Sequence, residues 1–267
     1  LDQWESAPIE GFDSRVIGAN AYEEAENSEV FIVTAGIARK PGMSRDDLLK
    51  TNAGIISSVS REIKRVAPNA IVIVVTNPLD VMAQVALEET EFPRERVIGM
   101  AGVLDTARYR SFIALELDVS IEDIQALVLG GHGDTMVPLA SYTSVSGIPL
   151  SQLLSQDRID ALIERTRKGG GEIVSHLKTG SAYYAPAAAA VQMAEAIVKN
   201  KRRILPCAAW LQGEYGMRDL YLGVPCLLGE NGIERVIEVE LDEEERGALE
   251  SSAEHVRSTV AALKSLG

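Results

Sequence analysis

Short apolar runs alternate with amphipathic stretches along the first hundred residues. The apolar runs are rich in β-branched side chains, which is typical of strands that are covered on both faces. The amphipathic stretches repeat their apolar residues at helical spacing. This β-α-β-α-β order predicts a parallel, doubly wound sheet. The predicted elements are strands at 28–36, 70–76 and 97–102 and helices at 44–66 and 79–90.

The first long helix carries its own start signal. Ser44 precedes the amphipathic stretch, and Asp47 follows three residues later. This is the spacing of a capping box, in which a hydroxyl and a carboxylate satisfy free backbone N–H groups. We therefore expect the helix to begin directly after Ser44.

The pattern changes after about residue 102. Strand-like runs with proline and glycine turns now favour antiparallel hairpins, and the helices become longer. The sequence therefore predicts a second region of α+β character. Its predicted elements are helices at 104–116, at 157–199 with a break near Gly180, and at 242–264, a buried strand at 124–129, and antiparallel strands within 137–150, 203–212 and 219–240.

Composition narrows the classes of partner and location. The net charge of −13 argues against a nucleic acid or an anionic membrane as partner. No apolar stretch reaches the roughly 18–20 residues that a membrane helix needs. Cys207 and Cys226 form no metal or redox motif, and the chain has three histidines. We therefore expect no metal site and a reducing, cytoplasmic location.

One histidine stands at a predicted strand end. His132 lies within GGHGD at 130–134, directly after the apolar run that ends at Leu129. Histidine titrates nearest neutrality and suits proton transfer. A buried structural histidine is the alternative interpretation. The flanking glycines weaken that alternative, because a core strand has little need to end in them.

Three further strand ends carry charged or amide side chains. Arg39 and Arg45 flank a Pro-Gly turn, Asn77 ends the most apolar strand, and Asp105 and Arg108 share one helix face. Each has a simple alternative: an exposed basic loop, a turn, or an internal ion pair. Because ligands of open α/β sheets gather at the carboxyl ends of the strands, we expect all four strand ends to line one cleft.

A glycine run at 168–171 needs separate treatment. Lys168 precedes Gly169, Gly170 and Gly171, which superficially suggests a phosphate-binding loop. The run lacks a preceding strand and the GxxxxGK[ST] spacing. We predict that these glycines permit close helix packing instead.

Four segments carry a family resemblance. The chain contains TAGIARKPGMSRDDLLKTN, VVTNPLDVM, GMAGVLDTARYRSFIA and GGHGDTMVPL in this order. These segments resemble the lactate/malate dehydrogenase superfamily, and within it the bacterial malate dehydrogenases that share the lactate dehydrogenase fold. The resemblance runs from Leu1 to Gly267. It implies a truncated Rossmann-type doubly wound parallel sheet, followed by an α+β catalytic domain, in a homodimer or homotetramer.

The resemblance also implies which function each part of the chain performs. Residues 1–101 would be the remainder of an NAD-binding domain, and residues 102–267 would bind substrate and oligomerise. The implied reaction is the reversible oxidation of (S)-malate to oxaloacetate with NAD. His132 would be the acid/base, and Asp105 would orient its ring. Arg108 would bind one substrate carboxylate through a bidentate fork.

Further residues acquire roles from the same resemblance. Arg45 would polarise the reacting carbonyl, and Arg39 would bind the second carboxylate, where similar lactate dehydrogenases carry an uncharged glutamine. Asn77 would touch both substrate and cofactor. Asn52, Val75 and Thr76 would line the cofactor with it.

The chain has no GxGxxG motif, with which this family usually begins. We therefore expect about forty residues of the usual N-terminal region to be missing, including those that would bind the pyrophosphate. On one hypothesis the chain is part of a longer enzyme. On the other it is complete and is a non-catalytic remnant. Oxidation of lactate or of another 2-hydroxy acid also remains open.

We expect Arg39→Gln to shift preference from oxaloacetate toward pyruvate. A carboxylate left unpaired in a closed, low-dielectric site costs several kcal/mol, and so does an arginine that faces a methyl group. The measurement is kcat/KM for both substrates in the parent and the variant. An unchanged ratio would contradict the assignment.

Overall fold

Helices cover both faces of a central sheet in the computed structural model of this chain, which describes residues 2–38, 44–178 and 180–266. The helices are α1 (Asp2–Glu10), α2 (Arg45–Val66), α3 (Leu79–Thr90), α4 (Gly102–Leu117), α5 (Leu150–Leu153), α6 (Gln156–Leu177), α7 (Tyr184–Val198) and α8 (Glu243–Leu266). The strands are β1 (Val30–Val33), β2 (Ile71–Val74), β3 (Val97–Gly99), β4 (Ile124–Gln125), β5 (Val128–Leu129), β6 (Val137–Pro138), β7 (Ser144–Val145), β8 (Ile148–Pro149), β9 (Arg203–Gln212), β10 (Arg218–Gly229) and β11 (Gly232–Val236).

The main sheet has six strands in the order β1-β2-β3-β9-β10-β11. The first three strands are parallel, as predicted. The later hairpins do not form a sheet of their own, however. β9 joins β3 in antiparallel orientation where Gly99 pairs with Ala208, and β10 and β11 continue from β9. The sheet is therefore mixed, and it links the two regions that the sequence pattern separated.

The β-branched run of β2 is buried on both faces, as predicted. Ile71 and Ile73 belong to one apolar cluster, whereas Val72 and Val74 belong to the other. This alternation follows from the two-residue period of a strand. Helices α2 and α3 cover one face, and α4, α7 and α8 contribute to the other.

The predicted start of α2 is confirmed. The Ser44 hydroxyl accepts a hydrogen bond from the Asp47 backbone at 3.0 Å, and the Asp47 carboxylate accepts one from the Ser44 backbone at 3.2 Å. The predicted break near Gly180 is also confirmed, because α6 ends at Leu177 and α7 begins at Tyr184.

The prediction of one strand over 124–129 is wrong. β4 pairs with β7 in a three-stranded sheet, and β5 pairs with β6 in a separate ribbon. The reason lies in hydrogen bonding. The Val128 N–H donates to the Thr106 hydroxyl of α4 at 3.1 Å rather than to a neighbouring strand.

No helix within the described ranges is long and apolar enough to cross a membrane.

Two isoleucines in register provide a matched test of this sheet. Ile32 pairs with Ile73 on adjacent strands, but Ile32 is 41% exposed on the outer strand β1 and Ile73 is fully buried. We expect Ile73→Ala to lower the free energy of unfolding by about 2–5 kcal/mol, because it leaves a cavity in the core. Ile32→Ala should cost much less. Urea denaturation measures both, and equal losses would contradict the packing.

Candidate active site

A buried carboxylate on α4 joins the imidazole to a guanidinium. Asp105 Oδ2 lies 2.8 Å from His132 Nδ1, and Arg108 Nη1 donates to Asp105 Oδ1 at 3.3 Å. The side chains of Asp105, Arg108 and His132 are 3%, 12% and 16% exposed. The internal ion pair that the sequence left open therefore exists. Asp105 shares its two oxygens between that ion pair and the histidine.

Glycines allow the segment of His132 to lie against other backbone. Gly130 exchanges two backbone hydrogen bonds with Gly223 of β10, at 2.9 and 3.0 Å. The Gly131 N–H donates to the Ser252 hydroxyl of α8 at 2.8 Å. A Cβ on Gly131 would lie only 2.8 Å from the Val256 side chain. Glycine at positions 130 and 131 is therefore a packing requirement.

The strand arrangement that places His132 at the cleft differs from the prediction. We expected it at the end of a single buried strand over 124–129, with that strand end beside those of the parallel strands. It instead follows β5 of the two-stranded ribbon, which the Gly130–Gly223 bridge ties to β10. Asn77 and the Asp105–Arg108 pair do follow parallel strands, β2 and β3, as expected.

Sequence reasoning missed a second carboxylate at this site. Asp80, in the first turn of α3, accepts a hydrogen bond from the His132 backbone N–H at 2.9 Å. The residue is buried, and its Oδ1 has no hydrogen-bond partner within the described part of the chain. An aspartate in a first helical turn is ordinarily attributed to the helix dipole. The available signal was a lone carboxylate among the apolar residues Leu79, Val81 and Met82.

The surroundings of His132 stabilise its charged form. Burial opposes the positive charge and is the largest single effect, but the carboxylates of Asp105 and Asp80 together outweigh it and raise the pKa of His132. Arg108 acts in the opposite direction. Burial raises the pKa of the Asp80 carboxyl to about 6, although the His132 backbone N–H partly offsets this rise. Because Nδ1 faces a carboxylate, which only accepts hydrogen bonds, Nε2 is the nitrogen left for proton exchange.

Asn52 clamps two loops at the carboxyl edge of the sheet. Its amide nitrogen donates to the carbonyls of Asn77 at 2.7 Å and Ile37 at 3.2 Å, and its oxygen accepts the Ile37 N–H at 2.9 Å. The Thr76 hydroxyl donates to the Ala35 carbonyl at 2.7 Å. The two side chains thus hold the segments after β1 and β2 together.

The remaining predicted residues occupy different environments. The Asn77 side chain is exposed at the end of β2, and Val75 is half-buried. Arg45 is exposed at the first residue of α2, and no hydrogen bond or ion pair joins it to His132, Asp105 or Arg108. Arg39 lies outside the described residues.

Known proteins match the whole chain. Residues 2–99 match the family model for the lactate/malate dehydrogenase NAD-binding domain, and residues 102–266 match that for the α/β C-terminal domain. A malate dehydrogenase of Chloroherpeton thalassium is 58% identical over 266 residues, which is all of this chain and 86% of the relative. One from Bacillus cytotoxicus is 59% identical over 260 residues, covering 97% of this chain and 83% of its own length.

Solved structures share the fold. The malate dehydrogenase of Salinibacter ruber superposes with a TM-score of 0.95 at 55% identity, covering 99% of this chain and 84% of that one. A Cryptosporidium parvum lactate dehydrogenase, complexed with lactic acid and nicotinamide adenine dinucleotide, gives 0.94 at 43% identity, with 98% and 84% covered. The matches to both domains and the identities above one half confirm the resemblance. The chain belongs to the lactate/malate dehydrogenase family.

Proposed function

We propose that the chain catalyses the reversible, NAD-dependent oxidation of (S)-malate to oxaloacetate. The observation that carries the proposal is the Asp105 carboxylate, which lies between the His132 ring and the Arg108 guanidinium. This arrangement provides a base for a hydroxyl proton next to a cation for a carboxylate. The relatives named malate dehydrogenase, which are 58% and 59% identical, support the choice of substrate.

His132 accepts the hydroxyl proton of malate at Nε2. The electron pair of the broken O–H bond becomes the second bond of the carbonyl. The substrate C–H bond breaks at the same carbon, and NAD, when bound, supplies the acceptor for that hydride. Asp105 keeps its hydrogen bond to Nδ1 and stabilises the resulting imidazolium, as in other Asp–His pairs. In the reverse direction His132 returns the proton.

Arg108 binds the carboxylate next to the reacting carbon. Its side chain is largely buried, and charge-assisted hydrogen bonds are stronger where water is excluded. We assign the second carboxylate to Arg39 and the polarisation of the carbonyl to Arg45. These two assignments rest on the resemblance, because no hydrogen bond or ion pair joins Arg45 to the cluster and Arg39 lies outside the described residues.

The described residues fit the nicotinamide end of NAD. Asn77 presents its amide at the carboxyl end of β2, where open α/β sheets bind ligands. The next residue, Pro78, lines a small cavity together with His132, which places Asn77 near the base, although this cavity of about 60 Å³ is too small to hold the ring itself. Asn77 would therefore hold the ring end of the cofactor near the base, with Val75 beside it, while Asn52 and Thr76 act by fixing the loops. The sequence has no GxGxxG motif, so no residue here is assigned to the pyrophosphate.

Oxidation of lactate is the second candidate. It is favoured by the similarity to the Cryptosporidium parvum lactate dehydrogenase structure. The positive charge of Arg39 favours malate, which has two carboxylates, over lactate, which has one. We further propose that residues 1–101 serve the cofactor and residues 102–267 the substrate, in a cytoplasmic homodimer or homotetramer.

His132→Asn should lower kcat/KM for oxaloacetate about 10²- to 10⁴-fold, because it removes the general acid/base. Asp105→Asn should also lower it, by failing to hold the imidazolium. The measurement is oxaloacetate-dependent oxidation of NADH at 340 nm. His176→Asn, an exposed position on α6, is the control and should match the parent. Full activity of His132→Asn, or a parent protein without turnover, would refute the proposal.

The two carboxylates should be separable by titration. Asp105→Asn and Asp80→Asn each remove a negative charge that favours the imidazolium, so each should lower the pKa of His132. Asp105→Asn should cause the larger fall, because the Asp105 carboxylate contacts the ring itself whereas Asp80 contacts only the backbone N–H of His132. NMR titration of the histidine ring signals measures this, with His176 as internal reference. A His132 pKa unchanged in both variants would contradict the electrostatic account.

A further inference from the structure

Three consecutive glycines inside α6 need a physical reason. Gly169, Gly170 and Gly171 lie well within this helix. A glycine in a helix interior costs about 1 kcal/mol relative to alanine. The run therefore weakens the helix unless a contact of at least one glycine offsets the cost.

The contacts single out Gly169. A Cβ on this residue would lie 2.3 Å from Cδ and 2.7 Å from Nε of Arg108. The same atom on Gly170 would lie 3.9 Å from Arg108 Nη2, an ordinary contact, and on Gly171 it would meet nothing within 4 Å. The prediction of close helix packing is thus confirmed for Gly169, where the packed atoms belong to the arginine of the candidate active site.

Helix α6 has little freedom to retreat from such a clash. Arg158 forms an ion pair with Glu116 of α4 at 2.6 Å, and the Arg165 guanidinium lies 4.1 Å from the centre of the Phe112 ring, also on α4. The Arg167 guanidinium donates to the Met136 carbonyl at 3.0 Å. These contacts fix the turns of the helix that precede the glycine, and the last of them lies only two residues before it. A methyl group at position 169 would therefore displace the side chain of Arg108.

The surroundings of Arg108 hold its guanidinium in one position. Its side chain is 12% exposed, and its guanidinium donates to Asp105, the carboxylate that also contacts His132. A shift of its Cδ and Nε atoms moves the whole fork, because the guanidinium is planar and rigid. The missing side chain at Gly169 thus determines where the fork lies.

We infer that Gly169 is a positioning residue that holds the Arg108 guanidinium in place for a substrate carboxylate. The inference rests on the proposed function, in which Arg108 binds that carboxylate. Gly169 itself touches no substrate atom. Its effect passes through Arg108 alone.

The test compares two alanine substitutions on the same helix. Gly169→Ala should raise KM for oxaloacetate about 10- to 100-fold, since small displacements of binding groups are costly. Its effect on kcat should be smaller, because Arg108 holds the carboxylate in both the ground state and the transition state. Gly171→Ala should leave both constants unchanged and raise Tm, because it only removes a helix-weakening glycine. Equal kinetics for the two variants, together with an Arg108 guanidinium that has not moved in Gly169→Ala, would overturn the inference.

Double variants test whether the effect of Gly169→Ala depends on the Arg108 side chain. In an Arg108→Ala background, Gly169→Ala should cause no further change in KM and no loss of Tm, because the clashing atoms are gone. If Gly169→Ala alone does not fold, Arg108→Ala should restore folding. A double variant that remains unfolded, or that loses further Tm, would overturn the inference.

A crystal structure of Gly169→Ala separates this inference from the proposed function. Displacement of the guanidinium with an unchanged KM would support the positioning role and refute the assignment of Arg108 to the carboxylate. An undisplaced guanidinium, together with a raised KM for Arg108→Ala alone, would overturn the positioning role and support that assignment.

Discussion

A single buried carboxylate organises this molecule. Moving the charge of Asp105 out of water costs several kcal/mol, and the cost is offset only when both oxygens find partners of good geometry. Those partners come from the same helix and from a loop 27 residues further along the chain. The relative positions of α4 and the ribbon β5–β6 are therefore constrained by one side chain. The fold and the proposed chemistry depend on the same contact. The His132 ring helps to offset the cost of burying Asp105, and the same ring exchanges the proton in the proposed reaction.

Glycine marks the places where neighbouring elements come closest to this centre. At Gly131 the side chain of Val256 occupies the space that a Cβ would need, and at Gly169 the stem of Arg108 does so. The two positions differ in consequence. The first lets α8 support the backbone of the histidine loop, whereas the second lets α6 support the side chain of the arginine. In both cases the supporting helix packs against a functional group without occupying the cleft.

Local rules predicted much of the fold because the forces concerned are local. The cap at Ser44 involves residues three apart, and the buried strand β2 is recognisable from its own β-branched run. The division of 124–129 into two strands could not be predicted, because it depends on the Thr106 hydroxyl of another element. In the candidate site, too, residues with a local signal could be predicted and those that depend on distant contacts could not. His132, Asp105 and Arg108 stood out by residue type and position, whereas Asp80 acts through a backbone N–H that lies 52 residues away in sequence.

The contact between Ser252 and Gly131 also bears on the order of events during synthesis. Domains generally form as the chain emerges, from the N-terminal end first. The β1–β2–β3 layer and α4 are therefore available early, and His132 leaves the ribosome soon afterwards. The hydroxyl that holds the adjoining backbone, however, belongs to α8, 121 residues later. A nascent chain thus carries both residues of the His–Asp pair long before α8 can dock, and the backbone of the histidine loop gains its hydrogen bond to Ser252 only then.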